Sequence, residues 1–346
     1  MASSLRRSRF FVEYICAKCL YWSVKAAPHW LIKGVSIAAG KIVYLFFQKL
    51  INANIRIAFP DKDENEIRRI GTASSFNVIY NMLEFVWLNN NPSRIEKVLE
   101  MPDSTKKELQ ELRKNDVRMI FVNPHIGSWE ASGLMAPYYA GVKMAAIAKP
   151  LRNPYLNQLL NEGNREKEKG LKIIFAKGAV RAAVKALRAG MSLGTLIDQN
   201  TRVRNGGVFM DFFGLPVPTS KAPVLLARYC ESNDIKVKIL YANSLRHKDE
   251  VTRVTVKSLS KELKEYNSDE EVIEELMGIS EEYIRNFPEQ YLWLYHRFRY
   301  IPRDCSEEVK AKFPYYASVV SSKFYAKTGP LKDMEAAAQT SIPAVD

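Results

Sequence analysis

Apolar and polar positions change rhythm three times along the chain. From Trp30 to Leu50 most residues are apolar, with Lys33 and Lys41 interrupting the run. From Asp63 to Leu88 the apolar residues Ile67, Ile70, Phe76, Ile79, Met82 and Phe85 recur at helical spacing. Pro60-Asp61 precedes that helix, and Asn89-Asn90-Asn91-Pro92 follows it as a break. Ser93–Glu100 and Ser104–Lys114 read as short, charged helices. From Arg118 to about Tyr300 short apolar runs alternate with longer amphipathic ones. The runs predict strands at Arg118–Val122, Met144–Ala148, Leu171–Phe175, Leu193–Ile197, Val208–Phe212, Lys236–Ala242 and Val251–Val256. Between them the pattern predicts helices at Ser128–Tyr139, Pro154–Lys169, Gly178–Arg188, Ser220–Cys230 and Asp269–Asn286. Such alternation predicts an α/β fold with a mostly parallel central sheet flanked by helices. No repeat of 20–50 residues is visible. After Arg303 the core pattern stops. The expected organisation is an N-terminal membrane-associated helical segment (1–52), a helical lead-in (53–115), an α/β domain (116–303) and a C-terminal tail (304–346) that is partly helical and frayed at its end.

The N-terminal segment bears on location. Residues 1–27 carry Arg6, Arg7 and Arg9 among apolar residues, with no small-residue cleavage site, so a removable signal is not expected. For the apolar run that follows, a clean span wants ~20 uninterrupted apolar residues. A central lysine costs roughly 2.5–3.5 kcal/mol on insertion. Three readings stay open: a helix lying in the membrane interface with its lysines snorkelling, a span, or a helix packed on the protein's own core.

Charge narrows the partners. Of 346 residues, 51 are Lys or Arg and 38 are Asp or Glu, a net charge of +13, which favours an anionic partner. The basic residues are dispersed and no nucleic-acid-binding motif appears, so nucleic acid is not expected. The four cysteines (Cys16, Cys19, Cys230, Cys305) form no disulfide framework, which fits a reducing compartment. Cys16 and Cys19 make a lone C-x-x-C with no second pair. With no H-E-x-x-H either, no metal site is expected.

The chemistry centres on Asn123-Pro124-His125-Ile126-Gly127-Ser128-Trp129-Glu130. His125 ends a predicted strand and Glu130 sits in the first turn of a predicted helix. On one continuous helix, residues five apart point about 140° away from each other, so this pair meets only across a strand-to-helix turn. Pro124 and Gly127 supply the turn, with Ser128 as an N-cap. In that geometry His125 acts as a base and Glu130 fixes its tautomer. The plainer reading is a loop histidine beside a glutamate that merely suits the helix dipole. Two further residues, Lys149 and Asp198, also follow predicted strands. Ligands of open α/β sheets sit outside the carboxyl ends of the strands, so all three can face one cleft. Taken separately, Arg165 suits a solvated face, Asp198 a turn cap and Phe212-Phe213 the core.

Taken in order, these stretches resemble the lipid A biosynthesis (late) acyltransferase family, of the lauroyl/myristoyl type, within the wider His-x4-acid glycerolipid acyltransferases. The resemblance covers roughly residues 30–300. It runs through Asn54-Ile55-Arg56-Ile57-Ala58-Phe59-Pro60, the His125-x4-Glu130 motif and Lys149 to Arg165. It continues through Asp198-Gln199, Phe213-Gly214, Pro288 to Trp293 and His296-Arg297-Phe298. The position before Pro150 often carries Arg in this family and is Lys149 here, which keeps the charge and loses a bidentate fork. The resemblance implies acyl transfer from a thioester carrier to a hydroxyl of a membrane glycolipid, with His125 as general base oriented by Glu130. It implies substrate-binding or oxyanion roles among Lys149, Arg152, Arg165, Asp198, Gln199, Phe213, Gly214 and Thr219. No Ser or Cys nucleophile and no G-x-S-x-G is apparent, so direct transfer is expected rather than an acyl-enzyme. No cofactor is expected beyond acyl carrier protein, or coenzyme A, as acyl donor. The implied partners are acidic acyl carrier protein, an anionic glycolipid and the cytoplasmic face of a bacterial inner membrane. Lys149, Arg152, Arg202 and Arg204 are basic candidates for either ligand. Two other readings stay open: a different bacterial acceptor lipid, such as an ornithine or mannosylated lipid, and a non-catalytic basic binding protein.

Overall fold

The computed structural model describes residues 2–88, 91–148, 150–160, 171–175 and 179–326. Two long N-terminal helices, α1 (Ala2–Ala26) and α2 (His29–Ala58), lead into α3 (Glu64–Leu88). The boundary expected at 52/53 therefore falls inside α2, because no breaker interrupts the chain before Phe59-Pro60. Next come α4 (Pro92–Val98), a two-residue strand β1 (Leu99–Glu100) and α5 (Asp103–Lys114). The alternating part follows as β2 (Arg118–Asn123), α6 (Trp129–Ala140), β3 (Met144–Ala148), α7 (Pro154–Asn157), β4 (Leu171–Phe175), α8 (Ala179–Arg188) and β5 (Ser192–Leu196). After it come β6 (Gly207–Phe212), β7 (Leu215–Ser220), α9 (Ala222–Glu231), β8 (Val237–Arg246), β9 (Thr252–Ser258) and α10 (Asp269–Asn286). Most of the helix expected at Pro154–Lys169, and Gly178 of the next, lie outside the described residues.

Seven strands form one sheet in the order β1-β9-β8-β2-β5-β3-β4. Pairing is parallel from β8 through β4, and β9 runs antiparallel to β8. β2 lies near the middle and is buried on both faces, which explains its unbroken apolar run. Ile120 and Val122 enter the core shared with α8, α9 and α10. Met119 and Phe121, alternate residues on the same strand, enter the core shared with α3, α5 and α6. The run at Val208–Phe212 is not part of this sheet. β6 pairs only with β7, an antiparallel hairpin whose turn is Phe213-Gly214.

The C-terminal tail is more ordered than its sequence suggests. β11 (Ser318–Val319) pairs with β10 (Tyr300–Ile301), and α11 (Glu307–Ala311) lies between them. Val320 and Phe324 are buried, and the Tyr316 hydroxyl bonds Asn54 Oδ1 on α2. Residues 327–346, where the fraying is expected, lie outside the described set.

One buried ionic cluster ties the N-terminal helices to the sheet. The Glu84 carboxylate on α3 is fully buried and accepts from His29 Nε2 at 3.2 Å and from both terminal nitrogens of Arg246 at the end of β8. Burial pushes the carboxyl up; His29 and Arg246 more than offset it, so the group lies below the usual range. Removing one partner of a buried pair strands the other charge. Glu84→Ala is expected to cost about 3–5 kcal/mol, read as a lower denaturation midpoint in urea.

Candidate active site

The turn that carries His125 is held at almost every backbone group. Gly127 has φ +61, and a Cβ there would stand 1.9 Å from Ser244 O. Only glycine lets the chain approach β8 so closely and turn left-handed at the same residue. The Gly127 N–H donates to Gln290 O at 3.0 Å and the Ser128 N–H to Ser244 O at 2.8 Å. Asn77 Nδ2 reaches Gly127 O at 3.3 Å and Gln290 O at 3.0 Å. From the far end of the chain, Leu292 N–H donates to His125 O at 3.0 Å, and Ile126 bridges Tyr291. Segment Gln290–Arg297 thus straps the turn down. It is anchored in its own right by Ser74 on α3 and Asn54 on α2, which donate to Tyr291 O, Trp293 O and Tyr295 O. Gly127→Ala is expected to destabilise the fold by at least about 1–2 kcal/mol from backbone strain alone, and to lose most activity. Thermal melting and a turnover assay check both.

His125 is 8% exposed. Its Nδ1 lies 2.7 Å from Asp198 Oδ1, and its backbone N–H donates to Asp198 Oδ2 at 2.9 Å. One carboxylate therefore grips both the ring and the main chain of His125. The two residues meet because β2 and β5 are neighbours in the sheet and both end at this edge. An ionised carboxylate only accepts, so the ring proton sits on Nδ1 and Nε2 is left as an acceptor. The Gln199 side-chain nitrogen stands 3.2 Å from Nε2 and donates to it. Trp129 packs edge-on against the imidazole, with ring centroids 5.5 Å apart. Burial pushes the imidazole pKa down; the charge and hydrogen bond of Asp198, with a smaller push from Glu130, carry it above the ordinary value. Burial raises the Asp198 carboxyl, and the attraction of His125 takes it below its ordinary value.

Asp198 and its neighbours are fixed from behind. Asn200 N–H donates to the Tyr295 hydroxyl at 3.1 Å, and Asn200 Nδ2 to His296 O at 2.9 Å. Arg297, 2% exposed, spans Asn200 Oδ1, Pro218 O and Thr219 Oγ1 at 3.2, 3.1 and 2.7 Å. Its positive charge also favours the ionised form of Asp198.

Several expectations change here. The orienting hydrogen bond at Nδ1 comes from Asp198, not Glu130, because the strand order delivers Asp198 to that side of the ring. Glu130, second residue of α6, acts on the imidazole through its charge. Ser128 stands at the N-cap without capping: its hydroxyl donates to Asn81 Oδ1 at 3.1 Å. The Gly127 and Ser128 N–H groups are committed and cannot serve an oxyanion. Phe213 (φ +52) and Gly214 (φ +77) form the β6–β7 turn, which needs positive φ at both positions. Phe213 packs on Phe59, Trp293 and the Arg285 guanidinium. Thr219 serves as a partner for Arg297. Arg152 is exposed just before α7. Lys149 and Arg165 lie outside the described residues. Asn77, Asn81, Gln290 and Arg297 are not among the expected site residues; the signal for Asn77 and Asn81 is the polar residues on the otherwise buried face of α3, and Gln290 and Arg297 lie in the stretches Pro288 to Trp293 and His296-Arg297-Phe298.

The arrangement can take a proton at Nε2 while Asp198 stabilises the imidazolium, which is the chemistry of a general base acting on a hydroxyl. A search of curated proteins returns no match. The family model for bacterial lipid A biosynthesis acyltransferase matches residues 2–300, so it spans α1, the His125 turn, Asp198 and the strap. On that match the chain belongs to the bacterial lipid A biosynthesis acyltransferase family.

Proposed function

We propose that the protein moves a fatty acyl chain from the thioester of acyl carrier protein to a free hydroxyl of a lipid A precursor. His125 is the general base, and the work is done at the cytoplasmic face of the bacterial inner membrane. The observation that carries this reading is the 2.7 Å bond from His125 Nδ1 to Asp198, which makes Nε2 the acceptor nitrogen; the Gln199 amide that donates to it gives way to the acceptor hydroxyl. As the acceptor oxygen attacks the thioester carbonyl, its proton passes to Nε2. The tetrahedral intermediate then collapses: the C–S bond breaks, the new C–O ester bond stays, and the imidazolium returns the proton to the departing carrier thiolate. A positioned base of this kind is worth ~10²–10⁴ in rate. Arg165 and the N–H groups of the first α6 turn beyond Ser128 are the candidates for the oxyanion. Lys149 and Arg152 are the candidates for the phosphates of the acceptor. The net charge of +13 suits both an acidic carrier and an anionic lipid.

Incubating the purified protein with carrier-bound or coenzyme A-bound acyl chains and a purified lipid A precursor tests this. The expected product by mass spectrometry is the acceptor plus one acyl group, formed faster from the carrier protein. No acylated glycolipid with either donor would overturn the assignment.

A further inference from the structure

The orientation of α2 and the groove beside it point to an unassigned lipid site. Each helical residue turns about 100°, so Ile32, Ser36, Gly40, Tyr44 and Ile51 fall on one side of α2, where they are buried. Leu31, Val35, Ala38, Ile42 and Leu45 fall on the opposite side and are exposed, as is Phe46 at 80%. The buried stripe lies along α3: a Cβ on Gly40 would come within 2.6 Å of Phe76 Cα, and one on Gly71 within 2.6 Å of Tyr44. The two helices are thus antiparallel and in contact, and α3 in turn holds the His125 turn through Asn77 and Asn81.

Between the buried and exposed sides, on the flank, sit Ile37 and Lys41. With Arg68, Arg69, Thr72, Ala73 and Phe76 of α3 they line a groove of about 490 Å³. Its floor is apolar and its rim is cationic. Arg69 pairs with Glu289 at 2.8 Å. Lys41 and Arg68 make no ion pair or hydrogen bond among the described residues. By length and composition α2 qualifies as a membrane span. Crossing the bilayer would nevertheless carry Lys41, and with it the charged first turns of α3, into hydrocarbon, where charges are strongly disfavoured.

We propose that α2 lies in the plane of the membrane surface, its outer apolar side among the acyl chains. The Lys41–Arg68–Arg69 groove then holds the phosphate of an anionic bilayer phospholipid, whose upper chain lies against Ile37 and Phe76. The rim stands where headgroups stand when the outer side is immersed, and its two unpaired cations are opposite in sign to that phosphate. This extends the membrane association of the family to a named site, and its test is independent of catalysis.

The full-length protein is floated with vesicles of phosphatidylcholine alone, or mixed with phosphatidylglycerol, or mixed with the glycolipid acceptor. Wild type is expected to bind the phosphatidylglycerol vesicles more tightly, with the gain fading in salt. Removing a basic residue near an anionic surface weakens binding about five-fold, so Lys41→Gln with Arg68→Gln should lose roughly 30-fold on those vesicles. Its binding to phosphatidylcholine alone should be unchanged. Leu45→Asp should weaken binding to all three. Both variants should keep transfer between detergent-dispersed substrates, so loss of the site and loss of the enzyme are read separately. An unchanged phosphatidylglycerol preference in the double variant overturns the site, as does a preference for acceptor vesicles alone. Retention of wild type on phosphatidylcholine vesicles after alkaline extraction overturns the in-plane orientation.

Discussion

His125→Ala is expected to lower kcat for acyl transfer by ~10²–10⁴, with little change in KM for either substrate. The imidazole presents its acceptor nitrogen at Nε2, where the Gln199 amide donates to it until a substrate hydroxyl takes that place. The fold should survive, with a lower melting temperature from the stranded Asp198 carboxylate, because two main-chain contacts of this residue do not need the ring. Its N–H to Asp198 and its carbonyl to Leu292 both remain in alanine. Circular dichroism and the melting temperature separate loss of chemistry from loss of structure. A folded variant within about ten-fold of wild type would remove His125 from the proton transfer.

Asp198→Asn probes the same step through its pH dependence. The base works only when unprotonated, so kcat/KM of the wild type should rise with pH through the imidazole pKa, which lies above its ordinary value. In the variant the carboxylate charge is gone, while burial still disfavours the imidazolium. The inflection should therefore move to lower pH. The plateau should drop as well, by roughly 10²–10⁴, because an amide can donate to Nδ1 and so favour the tautomer with the proton on Nε2. If the plateau falls with no movement of the inflection, Asp198 has only a structural role. Glu130→Gln offers the contrast: a smaller downward movement of the inflection, since Glu130 is the lesser influence on the ring.

What the sequence made legible depended on how locally each element is specified. β3 starts at its predicted residue because an apolar run begins there, just after the Gly141 turn and Lys143. α10 matches for a similar reason: Ser268 caps it, Asp269, Glu270 and Glu271 fill its first turn, and Phe287-Pro288 stops it. β7 was missed because Pro216 and Pro218 argue against a strand. They are tolerated because β7 pairs on one side only, and the Pro218 carbonyl faces outward to take the Thr201 N–H at 3.1 Å. The tail after Arg303 reads only as partly helical because its contacts are distant in sequence, with Tyr316 reaching back to Asn54.

The site divides in the same way. His125, its turn and the need for Gly127 are written within eight consecutive residues. The partner of His125 is not, because it follows from strand order. The chain runs from β2 to β3 leaving a gap, adds β4 outside, and returns to place β5 in the gap. A local reading sees Glu130 five residues away and assigns it the orienting role. Asp198, seventy-three residues on, takes the Nδ1 bond because β5 ends beside β2.

The strap from Gln290 to Arg297 has a consequence for when the enzyme becomes active. The His125 turn borrows hydrogen bonds from Gln290 and Leu292, and the Asp198 loop borrows them from Tyr295 and Arg297. A nascent chain that has already folded its N-terminal helices still lacks these partners. Competence arrives only once residues 290–297 are made and packed, so a chain that stops short of them lacks the support of the proposed base.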